Sequence, residues 1–207
     1  MRPTMFVVMV KAPIAMNLRQ LYFALENKGF PVKARAPGSL GQSVVNVHEW
    51  VIGSLQATIL NTSVFVFPNG KIKVSGGSAG YCEEEVYESW LKTHKVNPVL
   101  KELFIKTDEA SVDISLINGS HTLSSINMLN FYEICDYLDS NKLIVDKPSM
   151  LVNPSKRGRI CSVSVKLPNV RGSMRFDHSG KLQLFGFKAH NDMKLALETL
   201  ESNLKTI

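Results

Sequence analysis

The 207-residue chain is 44% hydrophobic and 20% charged, which excludes a disordered tail and leaves enough chain to bury a core; no apolar run approaches the ~18 residues needed to cross a bilayer. Cys82, Cys135 and Cys161 form no CxxC pair, which argues against a disulfide framework or a zinc knuckle and for a reducing compartment. The net charge of +6 is uneven: Asn153–Lys188 holds eight basic residues against Asp177 alone, a +7 zone that suits a polyanion such as nucleic acid or, more blandly, a solvated face.

In chain order, MRPTMFVVMVKAP opens with a short apolar core that Lys11 and Pro13 interrupt, so Met5–Lys11 reads as a strand and not as a leader. Leu18, Leu21, Tyr22 and Leu25 recur at i, i+3, i+4 and i+7, the stripe of an amphipathic helix. Strand-like runs follow at Val44–Ile59, Ser63–Phe67 and Lys71–Ser75, the last two joined by the turn Pro68-Asn69-Gly70. A helix with the stripe Val86, Trp90 and Leu91 closes this part, with Glu83-Glu84-Glu85 opening it next to the positive end of its dipole. Asn97–Ala110 reads as a connection.

The same order then returns. Val112–Ile117 is a strand, and Ile126, Leu129, Phe131, Cys135 and Leu138 make a rougher helical stripe. Arg159–Leu167, Gly172–Asp177 and Lys181–Phe185 are strands, with His178-Ser179-Gly180 as the second hairpin turn. Met193, Ala196, Leu197, Leu200 and Leu204 stripe a last helix with Asn191 as its N-cap. Gly180-Lys181 lies 110 residues after Gly70-Lys71, and the same offset pairs Gly76 with Gly186 and Tyr22 with Tyr132. The unit of strand, helix, antiparallel strands and helix is therefore used twice, over 1–97 and 98–207. Doubling it predicts an α+β fold with one curved antiparallel sheet, helices on its convex side and an open concave face for function.

FVFPNGKIKVSG (65–76) and RFDHSGKLQLFGFK (175–188), with the helices around them, resemble the doubled motif of the TATA-box-binding protein (TBP) family, roughly I-F-x-S-G-K-x-V-x-T-G-A-K in each half. The resemblance covers Met5 to Ile207 and implies a divergent member, of the kind large DNA viruses encode, acting in the nucleus or a cytoplasmic viral factory and not secreted. It implies a saddle on the minor groove of A·T-rich double-stranded promoter DNA, kinked by inserted aromatics, with no enzyme activity and no cofactor. The partners implied are a TFIIB-like factor and the RNA polymerase machinery. The loop Asn153–Ile160, NPSKRGRI, is basic where the family offers acidic residues to TFIIB, which weakens a contact of the usual kind.

Carried over by residue, the resemblance puts Phe67 on a wedge position, with Phe65 on the same strand face and Lys73 and Ser75 after the turn. Trp50 falls on the second wedge position and Val7 on a first-strand groove position. In the second half Asp177 stands where a wedge aromatic is expected, Ile160 takes the other wedge position, and Arg175, Gln183 and Phe185 share the face of Asp177. An aspartate toward a groove or phosphates needs a neutralising cation, for which Arg175 is the candidate. The phosphate-binding positions are Asn69 and Lys71 in the first half and Lys166, Arg171, Ser179, Lys181 and Lys188 in the second, while Gln56 and Ser78 replace basic residues. The implied footprint is asymmetric: the first half deforms the duplex and the second clamps its backbone.

Blander readings stand beside these. Phe65, Phe67 and Trp50 could be core aromatics, and Lys71 and Lys181 could be hairpin charges that discourage edge pairing. GGSAG (Gly76–Gly80) lacks the GK[ST] ending of a phosphate loop, and the histidines show no metal spacing. The alternative function is a protein-interaction scaffold, or a nucleic-acid-gripping module of the same fold without TATA specificity.

Overall fold

The computed structural model describes residues 1–38, 43–48, 51–126, 130–146, 162–168 and 170–205; Trp50, Ile160, Leu129 and the loop Asn153–Ile160 lie outside them. The chain divides into two compact units, one of Met5–Ser115 and one of Leu116–Ile207 with Met1–Thr4.

In the first unit, β1 (Arg2–Lys11) leads to α1 (Leu18–Asn27), whose Asn17 cap accepts a hydrogen bond from the Gln20 N–H. Leu18, Leu21 and Leu25 are the buried stripe of α1. Four strands follow: β2 (Val32–Arg35), β3 (Ser54–Ile59), β4 (Thr62–Val66) and β5 (Lys71–Gly77), paired antiparallel in the order β2-β3-β4-β5-β1. The long strand expected over Val44–Ile59 is shorter: Val44 makes only an isolated bridge to Arg35, and regular pairing starts at Ser54. The edge strand β2 escapes the sequence reading because VKAR, although alternating, is only four residues long.

The helix that closes this unit begins after the glutamates. Glu83, Glu84 and Glu85 are exposed and precede α2 (Tyr87–Leu91), and Val86 is its N-cap, 67% exposed and not part of the stripe. Tyr87 takes the buried place instead; its hydroxyl is hydrogen-bonded to Ser78, and burial pushes its phenol up to about 12. The helix continues through a π-helical stretch, Lys92–Val96, into α3 (Asn97–Glu102), so the segment expected as a connection is helical to Glu102. Pro98 has no N–H to offer four residues back, and the turn widens so that Asn97 N–H reaches Lys92 O.

The second unit repeats the order with β6 (Ser111–Thr122), α4 (Phe131–Ser140), β7 (Ile144–Asp146), β8 (Ser162–Val165), β9 (Ser173–Asp177), β10 (Lys181–Phe187) and α5 (His190–Leu204). Its strands pair antiparallel in the order β6-β10-β9-β8-β7. The stripe of α4 is Phe131, Ile134, Cys135 and Leu138, and Ile126 is buried ahead of the helix. Helix α5 buries Met193, Ala196, Leu197, Leu200 and Leu204 as its spacing requires, but Ala189 is the N-cap and Asn191 sits inside the first turn.

The two hairpin turns are built alike. Gly70 and Gly180 have φ of +77° and +76°, and a Cβ at either would lie 2.6 Å from Ile14 O or 2.4 Å from Leu123 O. Each turn is tied to the segment after its unit's first strand, by Ala12 N–H to Gly70 O (2.9 Å) and by Leu123 N–H to Gly180 O (2.8 Å). Glycine is required there because the turn and its neighbour meet backbone to backbone.

Candidate nucleic-acid interface

In both units the strands alternate, with one side packed under the helices and the other left open. In the first unit Phe6, Val8, Val10, Leu55, Ala57, Ile59, Val64, Val66, Ile72 and Val74 are all buried. The opposite side carries a mixed set. One row across it, fixed by strand register, reads Met9, Lys73, Phe65, Gln56 and Lys33; the next reads Val7, Ser75, Ser63 and Thr58. Phe65 and Val7 are half-buried and Lys73 is exposed. Phe67 is half-buried just beyond β4, where its N–H donates to Lys71 O and its carbonyl accepts from Gly70 N–H. Two phenylalanines and exposed lysines therefore share one face, which a purely structural core would not need, since the helix-facing side of these strands is already apolar except for Thr62.

The second unit presents a more polar version. Its row reads Ser120, Gln183, Arg175 and Ser164, with Lys181 opposite Thr122 and Phe185 opposite Ser173. At the 110-residue offset, Phe65 beside Lys73 becomes Arg175 beside Gln183. Arg175 Nε donates to Ser162 Oγ (2.9 Å), while Lys166, Arg171, Lys181 and Lys188 are exposed.

Asp177 is held by its turn. Its Oδ1 accepts from Ser179 N–H (2.9 Å), Ser179 Oγ (2.6 Å) and Lys181 N–H (3.1 Å). Burial works against the charge, but the Ser179 hydroxyl and the two N–H groups outweigh it, with help from His178, and the carboxyl titrates below its usual value. The neutralising partners are thus backbone and serine donors. Ser179 spends its hydroxyl proton on Asp177, and Asn69 likewise turns inward, its Oδ1 accepting from Lys71 N–H at 3.1 Å. Both residues shape the hairpins on which Lys71 and Lys181 stand.

Two substitutions of basic residues acquire a structural account. Gln56 Oε1 accepts a hydrogen bond from Arg35 Nη2, so a cation from β2 sits at the place where the other unit has Lys166. Sequence reasoning missed Arg35 because it missed β2. Ser78, where the other unit has exposed Lys188, is buried and bonded to Tyr87. Trp50 and Ile160, the remaining wedge positions, lie outside the described residues, as do three of the eight cations of the basic zone, Lys156, Arg157 and Arg159. Among the described residues no cluster of His, Cys, Asp and Glu could hold a metal ion, and no helix is long and apolar enough to cross a membrane.

No protein-family model matches the chain, and no curated protein does either. Among solved structures, Methanococcus jannaschii TBP superposes over 100% of this chain and 98% of its own, with a TM-score of 0.62 and 17% sequence identity. The fold is TBP-like. The likeness spans both units, so the α+β class read from the repeat holds for the whole chain, while so low an identity carries the architecture and not the activity. Within a TBP-like fold, the open face of the first half-sheet carries exposed Lys73 beside half-buried Phe65, and that of the second carries exposed Lys181 and Phe185.

Proposed function

We propose that this protein is a TBP-like transcription initiation factor that binds promoter DNA through the minor groove and bends it, with an asymmetric footprint. The observation that carries the reading is the composition of the open faces: Phe65 and Phe67 among Lys71 and Lys73 in one unit, and Arg175 among Lys166, Lys181 and Lys188 in the other. Apolar side chains that unstack base steps and cations that neutralise phosphates are the two ingredients of minor-groove bending. In the first unit Phe67 inserts and Phe65 and Val7 cover the opened groove. In the second, Asp177 is committed to its turn, and the cations clamp the backbone without a wedge at that position. Sequence preference then comes from deformability and the A·T pattern of the groove.

The test is an anisotropy titration with A·T-rich and G·C-rich duplexes at several salt concentrations, with end-to-end energy transfer as the bending readout. If the six exposed cations Lys71, Lys73, Lys166, Arg171, Lys181 and Lys188 meet phosphates, log K against log salt has a slope of about −5. Phe67→Ala lowers the bending signal more than the affinity, and Lys181→Ala weakens binding to both duplexes alike. Salt-independent affinity, or no duplex binding by the folded protein, would contradict the proposal and favour the scaffold.

A further inference from the structure

The second unit contains a groove of about 800 Å³, within the ~300–1,000 Å³ range of small-ligand sites. Its lining includes Phe185, Lys166, Arg171, Ser164, Ser173 and Asn118. Phe185 is 37% exposed, unusual for a phenylalanine in a paired strand, and a bulge presents it: the register of β10 against β6 shifts between Leu184 and Phe187, and Gly186 N–H donates to Asn118 Oδ1 at 3.1 Å. Gly186 has a φ of +74°, and a Cβ on Gly172 would lie 2.7 Å from the buried Phe187 ring, so both positions favour glycine in the backbone that borders the groove. Lys166 and Arg171 are exposed, and no Asp or Glu is among the lining residues.

An aromatic ring, two cations and several hydroxyl and amide groups in one groove match the chemistry of a nucleotide: a base has a π face, a phosphate a charge, and base edges accept and donate hydrogen bonds. An already unpaired base offers a face without the unstacking cost, a few kcal/mol per step, that a paired duplex must meet. From this we infer that the groove takes a single unpaired nucleotide of the bound DNA, its base stacked on Phe185 and its phosphate held by Lys166 and Arg171. This rests on the DNA-binding reading above and gives the second unit a task suited to strands that are locally open.

The test uses the full chain and a 20-base-pair duplex carrying one extrahelical 2-aminopurine, against the same duplex fully paired. The bulged duplex binds at least tenfold tighter, and its 2-aminopurine fluorescence falls on binding as the base stacks. Phe185→Ala brings the affinity ratio close to one and removes the quench, whereas Phe185→Trp retains both, which separates stacking from general disruption. Free thymidine 5′-monophosphate at 1 mM leaves the preference in place; full competition would reassign the groove to a free nucleotide and overturn the inference. Equal affinity for the two duplexes, or a preference unchanged in Phe185→Ala, would also overturn it while leaving duplex binding intact. Binding of neither duplex would sink the DNA-binding reading itself.

Discussion

Asp177 shows how one residue can leave a binding role and take a structural one. Its carboxylate accepts three hydrogen bonds from its own turn, so removing it leaves those donors to water. Asp177→Ala is expected to cost about 1–2 kcal/mol in urea unfolding, the range for a partly buried charged acceptor. Because the native carboxyl titrates below its unfolded value, its stabilisation is fully present above ~pH 4 and fades as the pH falls through the native value. The stability gap between the wild type and Asp177→Asn should therefore shrink from pH 5 to pH 2.5, and a gap independent of pH would contradict this. Arg35 makes the opposite point. Sequence alternation alone places Phe65 and Lys73 on one face, since the period of a strand is two. Arg35 could not be found that way: its strand is four residues long, and its contact to Gln56 spans 21 positions. Arg35→Ala is expected to weaken duplex binding about three- to tenfold, measured by the same anisotropy titration, as the loss of one phosphate-neutralising cation would.

At the scale of elements, the hairpin turns decide whether the open faces keep their register. Gly180→Ala forces a side chain into a left-handed backbone and against Leu123 O, and should lower stability by more than ~2 kcal/mol. Circular dichroism during thermal unfolding reads it, and a variant as stable as wild type would show that the turn has room the geometry denies. The elements legible in the sequence were those with a full period of apolar residues: β1, α1, β4, β5, β9, β10 and α5 each carry an alternation or stripe long enough to be counted. The edge strands β2 and β7 have four and three residues, too few for a period to be counted. The helix after β5 was misplaced at both ends for local reasons. Three glutamates resemble a first turn without forming one, and Pro98 marks a widened turn where a stop is the simpler reading.

At the scale of the whole chain, the sequence repeat and the structure agree on order: each unit runs strand, helix, four strands, helix. What differs between the units is what the open faces carry, aromatics with lysines in one and arginine, glutamine and an exposed Phe185 in the other. Those are the residues under least constraint from packing, and they can diverge while the buried side of each strand stays apolar. The charge distribution follows the same division, with the +7 zone wholly in the second unit. The central claim is that DNA meets the open strand faces and not the helices. Its most direct test compares charge reversals on the two sides, Lys73→Glu and Lys181→Glu against Lys92→Glu and Lys205→Glu, all at exposed positions. Each strand-face reversal is expected to raise the Kd for an A·T-rich duplex at least tenfold at 0.1 M salt, and each helix-side reversal less than twofold. Equal effects on the two sides, or a larger loss from the helix side, would contradict the account.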